Sequence, residues 1–286
     1  MKKIIYVSIL VLFAYFYGIL TMYIKIFPFK QLQAIKQMFY KENIYDGFRV
    51  SSVHGLDKVG LKELNDPLVF VTYGQSNSTN FGQIGYQHKG PLYMFMNDEI
   101  FLFKEPTLGG TGKNSSVWGR VGDLLSVEYS NRSIVFVNAG WEGATIQQLT
   151  YDHQYDFFEK QLRSAIKIFG KIDGVLFHQG ESDHIKFGRP NDYEETFLVL
   201  FKKINLISPI PIYLSQTSVC NSPSDKNLIS IQDKLIVKYL GILRGPNTDT
   251  LIDAKYRLPD NCHFSSEGLD AMATLWATSI IKGSEE

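Results

Sequence analysis

At 286 residues with a formal net charge of +0, the chain lacks the basic excess that binding to a phosphate backbone requires, so no nucleic-acid partner is expected. Its 44% hydrophobic content suffices for one sizeable core. The 14% aromatic content would suit carbohydrate contact as well as it suits ordinary core packing.

The chain begins Met1-Lys2-Lys3, followed by an uncharged, mostly apolar stretch from Ile4 to Ile24 and then Lys25 and Lys30. Such a stretch can span a bilayer, which takes about 20 residues, and Tyr6 and Tyr23 stand near its ends, where amphipathic rings favour the interface. A cleaved signal peptide is the rival reading, but the stretch is long for one and no small-x-small cleavage site follows it. Residues 1–28 are therefore expected to be an uncleaved signal anchor. It would make the protein single-pass and place the rest of the chain outside the cytoplasm, in the periplasm or the extracellular space. Lysines on both flanks, with Lys25, Lys30 and Lys36 against Lys2 and Lys3, leave that orientation to signal-anchor habit rather than to charge. Leu32, Ile35 and Met38/Phe39 recur at helical spacing, so residues 29–65 read as a juxtamembrane stalk and an irregular lead-in, and residues 66–286 as the main domain.

The main domain opens on Leu68-Val69-Phe70-Val71-Thr72-Tyr73, an apolar run with little alternation that suits a central parallel strand covered on both faces. It stops at Gly74-Gln75-Ser76-Asn77, where glycine permits a tight strand-to-helix turn and Ser76 would be presented at the strand's carboxyl end. Residues 82–114 are weak in periodicity and read as a long functional loop. Within it, Gly109-Gly110-Thr111-Gly112-Lys113-Asn114 superficially resembles a phosphate loop but lacks the Ser/Thr after Gly-Lys and any leading strand, so that reading is rejected.

A helix through Trp118, Val121, Leu124 and Leu125 is expected to be capped by Ser115 or Ser116. Further strands are expected at 133–138, 173–178, 210–215 and near Thr250 to Asp253, alternating with helices marked by Phe158/Leu162, Phe197/Leu200 and Leu228/Leu235. A last helix is N-capped by Ser265, with Phe264 and Leu269 stapled across its start. Strands alternating with helices imply a doubly wound sheet, with five parallel strands counted here.

Four segments carry candidate chemistry at strand ends: Ser76; Gly143 in Trp141-Glu142-Gly143-Ala144; Gln179 in His178-Gln179-Gly180-Glu181-Ser182-Asp183; and Asp260-Asn261-Cys262-His263. A serine hydroxyl is a weak nucleophile until an imidazole removes its proton, the imidazole needs an orienting carboxylate, and the developing oxyanion needs aimed N–H donors. A metal site built on His178, His184 and Glu181 has neither the His-Glu-x-x-His order nor a further ligand cluster. Glu181 and Asp183 suit capping of the following turn at least as well as catalysis.

With Gly-Gln-Ser-Asn, His-Gln-Gly-Glu-Ser-Asp and Asp-x-x-His-Phe-Ser in this order, the chain resembles the SGNH hydrolase superfamily. The match is to its carbohydrate esterase branch, the sialate O-acetylesterase-like and acetylxylan-esterase-like group. The resemblance implies a three-layer αβα sandwich of flavodoxin-like type and removal of O-acetyl groups from a polysaccharide or glycoconjugate without a metal or other cofactor. It places the nucleophile on Ser76, the base on His263 and the orienting acid on Asp260. The oxyanion donors fall on the Ser76 and Gly143 backbone N–H groups and the Gln179 side-chain amide, with Gln75, Asn77, Glu142, His178 and Glu181 in supporting or substrate-facing positions. Glu142-Gly143-Ala144 departs from the group's usual Gly-Gly-Thr/Ser, adding a carboxylate beside the donor glycine. An O-acyltransferase using the same triad and an inactive glycan-binding module on a membrane stalk are the alternatives. Finally, Cys220 and Cys262, the only two cysteines, are both expected at the carboxyl edge of the sheet, and in an oxidising compartment they are expected to pair.

Overall fold

In this computed structural model the described residues are Tyr6, 14–18, 49–187 and 190–284, and the chain divides into two units, Met1–Gly47 and Phe48–Glu286. In the first unit the described residues are helical, and the expected stalk helix and nearly all of the expected anchor lie outside them. Among the described residues no helix is long and apolar enough to cross a membrane.

The second unit is built on a sheet of eight strands in the order β1-β4-β3-β5-β2-β6-β7-β8. These are β1 (Lys58–Val59), β2 (Leu68–Gly74), β3 (Leu92–Met96), β4 (Glu99–Leu102), β5 (Ile134–Asn138), β6 (Gly174–His178), β7 (Ile212–Gln216) and β8 (Ile242–Asn247). Strands β3, β5, β2, β6, β7 and β8 run parallel, and β4 and β1 add antiparallel at one edge. The apolar run that opens the main domain, β2, is buried along its whole length and lies between β5 and β6. Pairing of Thr72 with Asn138 and of Gly74 with His178 sets the carboxyl ends of these three strands level with one another.

The five-stranded expectation is therefore corrected to eight. Within the supposed loop 82–114, β3 and β4 form a hairpin turned by Asn97 (φ 51) and Asp98 (φ 67). Both turn residues tolerate the left-handed region, but the pair lacks the glycine that usually advertises such a turn. The last parallel strand lies upstream of Thr250 to Asp253, which instead follows or joins a short 3-10 turn at Thr248–Thr250. Arg244-Gly245-Pro246 reads as a breaker in the sequence, yet β8 is an edge strand, where proline can stand without forfeiting a ladder bond.

Helices cover both faces. On one, α1 (Trp118–Glu128) and α7 (Ser266–Gly283) pack through Trp118 and Trp276, 5.6 Å apart, above Phe70, Leu92 and Phe136. On the other, α3 (His153–Phe169) stacks Phe158 on Tyr73 at 4.1 Å and α5 (Pro190–Ile207) sets Phe197 against Phe177. There α6 (Lys226–Lys238) covers β7 and β8. Short helices α2 (Ile146–Tyr151) and α4 (Glu181–Phe187) follow β5 and β6. Burial of each such ring contributes about 1.5–3 kcal/mol. Two of the expected helix ends are present: Gly170 closes α3 at φ 76, and Ser265 caps α7 by accepting from Gly268 N at 3.1 Å. At α1 the expected cap by Ser115 or Ser116 is corrected: the cap position is Val117, which has no side-chain acceptor, and Ser116 Oγ accepts from Trp118 N one residue further in.

Candidate active site

The serine turn is fixed by a close approach between two strand ends. Gly74 has φ 136, and a Cβ there would fall 2.0 Å from the carbonyl oxygen of His178, so only glycine fits. Gln75 N–H donates to that same oxygen at 3.0 Å, and Gln75 Oε1 accepts from Ser182 N at 3.0 Å. Thus the turns after β2 and β6 are clamped together. Ser76 opens a 3-10 turn over Ser76–Ser78, closed by Ser78 N–H and Oγ–H donating to Gln75 O. As the first residue of that turn, Ser76 has an N–H the turn itself does not use.

The histidine loop meets this turn from the far end of the chain. His263 Nδ1 lies 2.6 Å from Asp260 Oδ2, while Asp260 Oδ1 accepts from Cys262 N and His263 N at 2.9 and 3.0 Å. Partial desolvation would raise the Asp260 pKa, but the hydrogen bonds from His263 and from the two main-chain N–H groups outweigh it and hold the carboxylate below its usual range. This hydrogen-bonded pair faces solvent, with Asp260 exposed. Asn77 Nδ2 donates to Cys262 O at 3.2 Å, the Phe81 ring stacks on the His263 ring at 5.2 Å, and Gln83 N–H donates to Phe264 O. Residues on either side of Ser76 and His263 are thereby in contact, although no hydrogen bond joins Ser76 Oγ to His263 Nε2 among the described residues. Such bonds commonly tighten only when substrate is bound.

Two further ties hold the loop. Cys262 forms a disulfide with Cys220 in the loop after β7. The buried Arg257 guanidinium donates to the carbonyls of Leu251, Thr248 and Cys262 and lies 4.0 Å over the Phe264 ring.

Gly143 lies at φ 59 in the turn after β5. Its neighbours are anchored individually: Trp141 N donates to Gly74 O at 2.9 Å, Glu142 N to Thr111 Oγ1 at 2.8 Å and Ala144 N to Trp141 O at 3.3 Å. Gln179 is buried, and its Nε2 donates to Asp183 Oδ2 and to Ala144 O at 3.2 Å, so the two expected side-chain and backbone donors are adjacent. Both amide hydrogens have protein acceptors in this state, and donation to an oxyanion would replace one of them. Asp183 also accepts from Ile146 N at 2.9 Å, so it caps α2 rather than the turn it sits in. Glu142 is exposed.

Glu181 is fully buried and accepts from Asn77 Nδ2 at 3.0 Å, so its carboxylate serves the serine turn rather than the turn it sits in. His178 Nδ1 is 3.7 Å from Glu181 Oε1 and Nε2 is 3.1 Å from Thr248 Oγ1; burial lowers its pKa against the pull of Glu181. His184 turns instead toward Ser218 O and Ser222 Oγ, so His178, His184 and Glu181 do not converge.

The rejected phosphate-loop segment has a different use. Thr111 O accepts from Thr79 Oγ1 and Asn80 N, Thr111 N donates to Gly140 O, and Thr111 Oγ1 accepts from Glu142 N. It straps the serine turn to the Gly143 turn. Neither Thr111 nor Arg257 was expected at the site. Thr111 acts on groups far away in sequence, whereas Arg257 holds carbonyls five to nine residues away, and the run of glycines around Thr111, which permits close backbone approach, was the one signal available.

The protein is a carboxylic ester hydrolase: residues 121–282 match the family described as carbohydrate esterase, sialic acid-specific acetylesterase. The chain belongs to that family, as its motifs led one to expect, although the serine turn lies upstream of the matched residues. Among solved structures, it is similar to a protein of Arabidopsis thaliana at 18% identity, covering 76% of this chain and 98% of that one, with a TM-score of 0.61. A putative GDSL-like lipase of Parabacteroides merdae gives 16%, 76%, 97% and 0.54 in the same order. A carbohydrate acetylesterase from Xanthomonas citri gives 16%, 74%, 55% and 0.51. At these identities they share the fold. A comparison with curated proteins finds no match.

Proposed function

We propose that the protein removes O-acetyl groups from a carbohydrate, with Ser76 as nucleophile, His263 as general base and Asp260 as the carboxylate that orients the imidazole. The observation that carries this reading is the 2.6 Å His263–Asp260 pair in a loop seated on the serine turn by Asn77 and Phe81. Ser76 Oγ attacks the acetyl carbonyl carbon while its proton passes to His263 Nε2, and Asp260 keeps Nδ1 protonated and stabilises the imidazolium. The tetrahedral oxyanion takes hydrogen bonds from Ser76 N–H, Gly143 N–H and Gln179 Nε2. The C–O bond to the sugar breaks, the sugar oxygen receives the proton from His263, and water, deprotonated in turn by His263, releases acetate from Ser76.

The family's description and the acetylesterase among the similar folds support an acetylated sugar as substrate. The Ile4 to Ile24 stretch supports a single-pass anchor with the enzyme outside the cytoplasm, and the Cys220–Cys262 disulfide fits an oxidising compartment. The test is acetate release from acetylated sugars by protein lacking residues 1–28, beside its Ser76→Ala variant. Loss of roughly 10⁴-fold or more in kcat with folding intact is expected. Substantial turnover by Ser76→Ala would remove the mechanism.

A further inference from the structure

Arg49 lies in the lead-in that shows no pattern in the sequence, yet its side chain is buried at the foot of the Gly143 turn. Its Nη1 donates to Gly109 O at 2.7 Å, Gly140 O at 3.2 Å and Ala139 O at 3.4 Å. The guanidinium carbon sits 3.8 Å over the Phe157 ring and 4.7 Å from the Trp141 ring. Trp141 also meets the His153 ring edge-on at 5.0 Å. The backbone of the same segment is stitched to the strap, with Val50 N–H donating to Gly110 O and Gly109 N–H to Val50 O.

A cation taken out of water needs compensation, and here carbonyl dipoles and two ring faces contribute it. Two of those carbonyls, of Ala139 and Gly140, belong to the peptides that immediately precede Trp141-Glu142-Gly143, and the third, of Gly109, belongs to the strap beside them. Carbonyls drawn toward Arg49 set the tilt of their peptide planes. With Trp141 N–H on Gly74 O and Glu142 N–H on Thr111 Oγ1, the chain arrives at Gly143 with its direction fixed on each preceding residue. An oxyanion donor must already point at the place where charge develops, since reorienting it during the reaction would consume the stabilisation it provides. A lysine supplies charge at this site but not the planar fork that lies between rings while reaching several acceptors.

We propose that Arg49 is a positioning residue for the oxyanion donor Gly143, so that the lead-in segment is part of the enzyme's working parts rather than a passive linker to them. The proposal rests on the assignment of Gly143 as a donor in ester hydrolysis.

The experiment compares Arg49→Lys and Arg49→Ala with the unaltered protein, all lacking residues 1–28, in acetyl-ester hydrolysis, with Ser76→Ala in parallel. The expected result for Arg49→Lys is a kcat lower by roughly 10-fold to 10²-fold with KM changed less than about threefold and an unfolding temperature close to the parent's. For Arg49→Ala a larger fall in kcat is expected, partly restored by added guanidinium ion but not by ammonium. Unchanged kcat in a folded Arg49→Lys or Arg49→Ala protein, or a loss confined to KM, overturns the proposal. If Ser76→Ala keeps its turnover, the site assignment itself fails. If Ser76→Ala is inactive while Arg49→Lys is fully active, the assignment stands and Arg49 is excluded.

Discussion

The side-chain amide of Asn77 donates to the main-chain carbonyl of Cys262, 185 residues further along the chain and 3.2 Å away. The same Nδ2 donates to the buried carboxylate of Glu181 at 3.0 Å, so one amide group joins the turns that follow β2 and β6 to the histidine loop. Asn77→Ala would leave a buried carboxylate oxygen and a carbonyl without this donor, at a cost of about 1–3 kcal/mol. Its kcat should fall as well, because His263 adjoins the freed carbonyl. Denaturant midpoints and steady-state kinetics check both, and an unaltered midpoint would show that the bridge contributes nothing.

Gln179→Ala should lower kcat by roughly 10²-fold or more while KM changes little, as for a donor whose interaction is made chiefly in the transition state. A defect confined to KM would recast Gln179 as a substrate-binding group. Its bond to Asp183 makes Asp183→Asn informative in the same assay, since a neutral partner holds the Gln179 amide less tightly.

The His153 imidazole is pushed down to about 4 from 6.5, first by burial and then by the positive charge of Arg49, with Asp156 pulling the other way. Below pH 6.5 the unfolded chain takes up a proton that the folded chain refuses. This contribution to stability is therefore full above 6.5 and is lost as the pH falls toward 4. His153→Gln should lose less stability than the parent over that interval. Equal slopes of unfolding free energy against pH in the two proteins would exclude it.

The Cys220–Cys262 bond closes a separation of 42 residues, and its removal by Cys220→Ser with Cys262→Ser should cost about 2–4 kcal/mol. Thiol titration of the protein unfolded without reductant should find no free thiol. Two free thiols would refute the bond in the native protein.

Legible in the sequence were the amphipathic helices, through their periodicity, and the central strand, through its total burial. The run Leu68 to Tyr73 admits no exposed face, and it proves to be a central strand. The hairpin at Asn97-Asp98 was missed because its strands are short and its turn carries no glycine. The strand Ile242–Asn247 was missed because Pro246 reads as punctuation unless one knows that the strand lies at an edge. At the candidate site, the blocks around Ser76, Gly143, Gln179 and His263 stood out because their residue types carry chemistry. What arranges them did not stand out: Thr111 and the lead-in arginine work by long-range bonds and Arg257 by bonds to carbonyls five to nine residues away, and a main-chain group looks the same at every position in a sequence.

The two rims of the sheet also bear on how the protein behaves at high local concentration. At one rim β1 is only two residues long and carries Lys58, paired with Glu99 of the neighbouring strand. At the other, Pro246 in β8 has no N–H to offer. Short, charged or proline-bearing edges are poor templates for a further strand. Many copies crowded together on one surface would therefore have little tendency to join edge to edge into fibres, and the parallel strands that deliver the reactive groups stay private to each molecule.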